Sequence, residues 1–451
     1  MLKRKISDYL ESYFTPNRRE ALLITGARQV GKSYAIREFG KSHYSSFIEI
    51  NLLEDSIART SISKASNSKD LLLRITAIAS QPLIKGKTLI FFDEVQVVPE
   101  IVTAIKFLVE EGSYQYVLSG SLLGIGLKGI SSMPVGYLTV KEMYPLNLEE
   151  FYRACGISDN IFSVLEEAFK AEREIDSIIH RKLMELFRLY LIVGGMPAVV
   201  QTYLDTNDIK KVVNKQREIL SMYVEDISQY DINNKLYIKD IFNLIPAELN
   251  NPNKRFILKN LNENAKFSRL EDSFIWIREA GVAIGVYNIE EPKLPLELAK
   301  LRNLFKLFSN DVGLLACQYA DGIQLRILNN DIDINYGSIY ENAVAEELFS
   351  HGLKLYYFNS KKQGELDFVI KIDDKLLPIE VKSGKNYLRH NALKNVIENK
   401  DYDIEKAYVL YNENIKRVGN IVYLPIYLMM FIKNREIEKL IWKIDLSSLP
   451  Q

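Results

Sequence analysis

The chain has 451 residues, with 58 Lys+Arg balanced by 58 Asp+Glu, 47% hydrophobic residues and 26% charged ones. That composition excludes a largely disordered chain, and the length calls for two to four domains at roughly 100–200 residues each. The neutral balance restricts any nucleic-acid surface to a local patch.

The first residues, MLKRKISDYLESYF, are basic but lack the apolar core of a signal peptide. No run approaches the roughly 20 apolar residues of a membrane span. Two distant cysteines, Cys155 and Cys317, exclude a disulfide framework, and four scattered histidines leave no zinc pattern. The expectation is a cytoplasmic protein without a membrane segment. Residues 21–26 (ALLITG) read as a strand leading into a helix over 32–39, and 47–52 (FIEINL) as a second strand. A helix is expected over 68–79, a buried strand over 88–94 (TLIFFDE) and a helix over 99–112. Pro99 suits a first helical turn and Gly112 a helix end. Strands follow at 114–121 (YQYVLSGS) and 136–146. Apolar strands separated by helices predict a parallel sheet covered on both faces.

From 149 to about 230 the pattern is helical, interrupted at VGGMPAV (193–199). Three helical stretches and a β-like segment (281–289) then fit a winged helix, and the proline-punctuated 290–300 reads as a connector. Basic residues of that region, Lys254 among them, stand beside acidic ones and read as a solvated mixed-charge face. The last section mixes a helix at 339–351 with strands in LKLYYFN, GELDFVIKI and KLLPIEVKSG.

Gly26-Ala27-Arg28-Gln29-Val30-Gly31-Lys32-Ser33 fits G-x-x-x-x-G-K-[ST], between a strand and a helix. The glycines let successive N–H groups converge on an anion, and the helix N-terminus adds its dipole. All eight residues are therefore candidates to hold a nucleotide, with Lys32 on its outer phosphates and the Ser33 hydroxyl on magnesium. Strand 88–94 ends in Asp93, expected to hold magnesium through water, and Glu94, expected to activate the attacking water. At the end of the next strand Ser119 is the candidate for the γ-phosphate side, with Ser121 the second choice.

GARQVGKS, FFDEVQ, VLSGS and MYPLNLEEF, in that order, resemble the AAA+-type ATPases of the archaeal-ATPase group. IPAELNN, WIREAGV, FKLFSNDVGLL, YENAVAEEL, GELDFVI and PIEVKSG extend the resemblance over nearly the whole chain. It implies an ATPase joined to a C-terminal domain of uncharacterised function related to PD-(D/E)xK nucleases. Ala27 stands where a proline is frequent, and Val135-Gly136-Tyr137 where many relatives carry an arginine, so no arginine finger is assigned.

Asp367 and Glu380-Val381-Lys382 fit the nuclease order. Alternation on a strand places Glu380 and Lys382 on one face. Asp367 and Glu380 are candidates to chelate a second divalent ion, and Lys382 to position its water. Glu341 matches the additional acidic residue that related nucleases aim at the metal.

The expected fold is α/β: an AAA+-like P-loop parallel-sheet domain (1–150), a helical region (151–230), a winged-helix-like region (231–320) and a PD-(D/E)xK-like α/β domain (321–451). The expected function is magnesium-dependent ATP binding and hydrolysis coupled to a nuclease-like domain, with DNA or RNA as candidate partners and an oligomer as a candidate state. The alternative is a nucleotide-controlled switch or assembly protein whose C-terminal domain only binds nucleic acid or protein.

Overall fold

The computed structural model describes residues 2–15, 18–121, 134–230, 235–263, 266–319, 322–331, 337–384 and 387–435. Residues 436–451 of the expected C-terminal domain lie outside them.

Five strands form the first sheet: β1 (Ala21–Thr25), β2 (Ser46–Asn51), β3 (Thr88–Asp93), β4 (Gln115–Ser119) and β5 (Leu138–Glu142). Their order is β2-β3-β4-β1-β5, and every neighbouring pair is parallel. The period of two sorts each strand between two cores. Leu22 and Ile24 of β1 join Leu89 and Phe91 of β3 on one face, while Leu23, Ile90 and Phe92 pack on the other. Both faces are thus covered, as the unbroken apolar strands predict. Pro99 and Gly112 bound the helix Glu100–Glu111, the glycine at φ 74°, a left-handed cap that costs it no Cβ clash. After β5, Asn147 and Glu150 form a reciprocal capping box that starts the helix Leu148–Ala154.

Helices Asp159–Ala171, Ser177–Val193, Pro197–Thr206 and Ile209–Tyr230 follow. Of the three helical stretches expected next, two are the α-helices Lys235–Asn250 and Phe267–Glu279, and the third is the 3-10 turn Leu258–Asn260. The β-like segment forms an antiparallel hairpin, β6 (Ala283–Ile289) with β7 (Lys300–Ser309), and the proline-rich connector is its loop.

That hairpin does not stand apart as a wing. β6 pairs in parallel with β8 (Tyr356–Ser360), so the hairpin closes one end of a sheet with β9 (Gly364–Ile372), β10 (Lys375–Val381), β11 (Ala407–Tyr411), β12 (Lys416–Val418) and β13 (Ile421–Pro425). The order is β12-β13-β11-β10-β9-β8-β6-β7, so one sheet crosses the expected division at 320/321. A hairpin leaves an outer row of backbone groups on each strand; β8 satisfies that of β6, and β7 forms the edge of the sheet. Helix Gly337–Ser350 is buried along most of its length, and its Ala343, Val344 and Leu348 share a core with Leu22, Phe187, Phe308 and Phe368. One apolar core therefore links the five-stranded sheet to the C-terminal one. Among the described residues no helix is long and apolar enough to cross a membrane.

Candidate active site

The loop 26–31 turns between β1 and the helix Lys32–His43. Gly26 has φ 133°, and a Cβ there would lie 2.1 Å from the Met143 carbonyl oxygen, so only glycine fits. Gln29 and Gly31 also take positive φ, 65° and 94°. Arg4 clamps the loop from outside, donating from Nη1 to Val30 O at 3.0 Å and from Nε to Glu150 Oε1 at 3.0 Å.

Lys32 folds back into the loop, its Nζ donating to Gly26 O at 3.0 Å and Ala27 O at 2.7 Å. Burial pushes its pKa down to about 8, against the opposing pull of Glu94 and Asp93. Ser33 Oγ donates to Asp93 Oδ1 at 3.0 Å, which brings together two of the expected magnesium-holding groups. Ser119 is fully buried, and its hydroxyl also donates to Asp93 Oδ1. Burial pushes the Asp93 carboxyl up, and those two hydroxyls oppose the shift. Arg37 grips Glu49 at 2.8 Å and stands 3.9 Å from Asp93 Oδ2.

Glu94 takes the left-handed conformation, φ 57° and ψ 47°, a strained geometry for a non-glycine residue that functional sites tend to store. Its Oε2 accepts from Gln96 Nε2 at 2.5 Å and from Ser121 Oγ at 3.3 Å. The serine beside the candidate base is therefore Ser121, while Ser119 orients Asp93. These donors and acceptors fit a nucleotide with its magnesium: a cation, a hydroxyl–carboxylate couple and a second carboxylate converge on one helix N-terminus.

Sequence reasoning missed the loop's outer partners. Arg28 forms an ion pair with Asp226 of helix Ile209–Tyr230, and Tyr223 of that helix donates to Arg28 O at 3.2 Å. Gly281 packs against Ala27, where a Cβ would lie 3.1 Å from its amide nitrogen. A cation inside the G-x-x-x-x-G-K-[ST] loop is a visible signal; its carboxylate partner 198 positions away is not.

In the C-terminal region Glu341, Asp367, Glu380 and Lys382 enter one charged cluster. Lys382 Nζ donates to Glu380 Oε1 at 2.6 Å, as alternation predicts, and Asp367 Oδ2 accepts from Val381 N at 2.8 Å. Lys254 forms an ion pair with Glu341, so this lysine faces a buried carboxylate and not solvent. Lys306, fully buried on β7, lies 2.7 Å from Glu365 Oε1 and 3.9 Å from Glu341 Oε2. Burial, reinforced by the Asp367 charge, raises the pKa of both Glu341 and Glu380. Among the described residues no group of three or more His, Cys, Asp or Glu side chains is arranged to hold a metal ion. Glu341 Oε2 and Glu380 Oε2 are nonetheless buried without a hydrogen-bond partner.

Residues 18–152 match the family model described as an AAA domain, 184–325 a domain of unknown function (DUF8612) and 336–429 another (DUF4143). The first match contains the loop, Asp93, Glu94 and both serines, and with the parallel sheet it makes this region an AAA-type P-loop domain. Among solved structures, the chain is similar to a Walker-type ATPase of Pyrococcus abyssi at 13% identity, over 70% of this chain and 96% of that one (TM-score 0.42). It is also similar to the ORC1 protein of Aeropyrum pernix, solved in complex with DNA, at 13% identity over 73% and 93% (TM-score 0.29). A third likeness is to Cdc6p of Pyrobaculum aerophilum, at 11% identity over 73% and 95% (TM-score 0.25). No curated protein matches the chain.

Proposed function

We propose that the chain is a magnesium-dependent ATPase whose nucleotide state is passed to its middle and C-terminal regions. The observation that carries this reading is the couple Ser33–Asp93 beside the buried Lys32, with Glu94 next along the chain. Lys32 supplies positive charge to the outer phosphates. Ser33, and Asp93 through water, would hold magnesium, which when bound would neutralise charge developing on the transferred phosphoryl group. Ser119 keeps Asp93 turned toward Ser33. Glu94, fixed by Gln96 and Ser121, orients water and takes its proton.

A contact route supports the coupling. From Arg28 O it runs through the Tyr223 hydroxyl to Asn310 Nδ2, 3.3 Å from that hydroxyl. Ser309, adjacent to Asn310, donates its N–H at 2.7 Å to Asn342, the neighbour of Glu341. The test is Glu94→Gln in the full chain. It is expected to keep ATP affinity while turnover falls by about 10²–10⁴-fold, the share assigned to a positioned base. Unchanged turnover would remove Glu94 from the reaction.

A second reading, metal-dependent cleavage of nucleic acid by the C-terminal cluster, is favoured by the orphaned oxygens of Glu341 and Glu380. Labelled DNA and RNA incubated with Mg²⁺ or Mn²⁺ and ATP would be cut by the wild type but not by Asp367→Ala or Lys32→Ala. Binding without cutting would leave a nucleotide-controlled binding module, and neither would leave an assembly switch.

A further inference from the structure

The loop contains a second cation besides Lys32. The Arg28 guanidinium donates from Nε to Ser121 Oγ at 3.4 Å, and Ser121 Oγ in turn donates to Glu94 Oε2 at 3.3 Å. One hydroxyl thus separates Arg28 from the carboxylate that faces the attacking water. The other end of the guanidinium is held by Asp226, whose side chain is 8% exposed against 33% for Arg28. Arg28 therefore keeps a solvent exposure that its present partner lacks. Asp226 also lies in the field of Glu94, and burial together with that like charge disfavours its ionised form.

We propose that Arg28 is a ligand of the terminal phosphate that exchanges Asp226 for it, so that a nucleoside triphosphate, and not a diphosphate, unties the loop from helix Ile209–Tyr230. The inference rests on the nucleotide reading above. A guanidinium fork pairs with a carboxylate or a phosphate in the same planar, two-pronged way, so the two anions compete for one group. Because water attacks in line with the terminal phosphorus, the cation beside Glu94 meets the third phosphate. A ligand without that phosphate has nothing to offer Arg28 and leaves the Asp226 pair closed. Differential contact of this kind is what lets a ligand move a two-state equilibrium.

The test uses the full chain with Mg²⁺ and measures affinity for ATP and ADP by calorimetry in the wild type, Arg28→Gln and Asp226→Asn. Arg28→Gln is expected to weaken ATP by about tenfold, as loss of one charge-assisted contact does, and to leave ADP unchanged. Asp226→Asn removes the competitor and is expected to tighten ATP by about two- to fivefold, again sparing ADP. Amide exchange in helix Ile209–Tyr230 should quicken with ATP and not with ADP, a response that a purely structural ion pair would not give. Should Arg28→Gln fail to fold, Asp226→Asn decides alone. Equal shifts for both nucleotides, or none, would overturn the exchange while leaving the loop a nucleotide site. A wild type that binds neither nucleotide would overturn the nucleotide reading itself.

Discussion

Asp311 Oδ2 accepts the backbone N–H of Gly195 at 2.6 Å, and its Oδ1 accepts that of Leu314 at 2.8 Å. One buried carboxylate thus caps the helix Val312–Cys317 and pins the turn after Ser177–Val193. The glycines around it have no spare room. A Cβ would lie 2.2 Å from Asp311 Oδ1 at Gly194, 1.9 Å from Leu146 O at Gly195 and 2.5 Å from Val193 O at Gly313. Leu146 N also donates to Gly195 O at 2.7 Å, so the turn locks the chain leaving β5 against the middle helices.

Gly195→Ala is accordingly expected to destabilise by about 2–3 kcal/mol through overpacking against backbone that cannot retreat. Urea denaturation followed by tryptophan fluorescence would measure it, since Trp276 lies in the same core. A midpoint equal to the wild type's would mean that the turn relaxes without cost.

The Lys32 ammonium gives a pH dependence whose sign can be worked out. Its pKa in the folded protein, about 8, lies below the ordinary 10.5, so burial disfavours the charged form. The ammonium is almost fully charged below about pH 7, half charged at about pH 8 and lost as pH rises further, and a polyphosphate binds the charged form. ATP affinity should therefore be nearly level below about pH 7 and fall by about tenfold between pH 7 and pH 9, where about one loop in ten is still charged. Binding above pH 8 should take up close to one proton. Calorimetric titrations in two buffers of different ionisation heat read both quantities, and a flat profile with no proton uptake would show that Lys32 keeps its charge when free.

What the sequence made legible follows from how local each signal is. The strands around 21–26 and 88–94 announce themselves by unbroken apolar runs, and the loop between them by eight contiguous residues. The Glu380–Lys382 contact is equally local, a matter of alternation. The β6–β8 pairing is not: a strand pattern states which face is apolar but carries no address for its neighbour, so the β-like segment 281–289 read as part of a separate winged helix. The same holds for charges. Lys254, read as part of a solvated face, finds Glu341 across 87 positions, and Arg28 finds Asp226 only because the middle helices fold over the loop. In both pairs the partner lies too far along the chain for any local pattern to announce it.

Lys306 tests how far that buried network holds the C-terminal sheet. The side chain is fully buried on β7, 2.7 Å from Glu365 Oε1 and 3.9 Å from Glu341 Oε2, with its ammonium 4.9 Å from the Tyr357 ring centroid. Lys306→Met keeps most of the stem's volume and removes only the charge, leaving Lys254 as the remaining ion-pair partner of Glu341. Breaking a buried pair on one side strands the other charge, and such changes cost about 3–5 kcal/mol. Adding Glu365→Gln to Lys306→Met removes the charge that lost its close partner and is expected to restore about half of the loss. Lys382→Met, whose partner Glu380 sits in a more open pair, should cost less than Lys306→Met. A denaturation cycle over these variants separates the terms, and a Lys306→Met cost below about 1 kcal/mol would show that the carboxylates simply take up protons when the ammonium is gone.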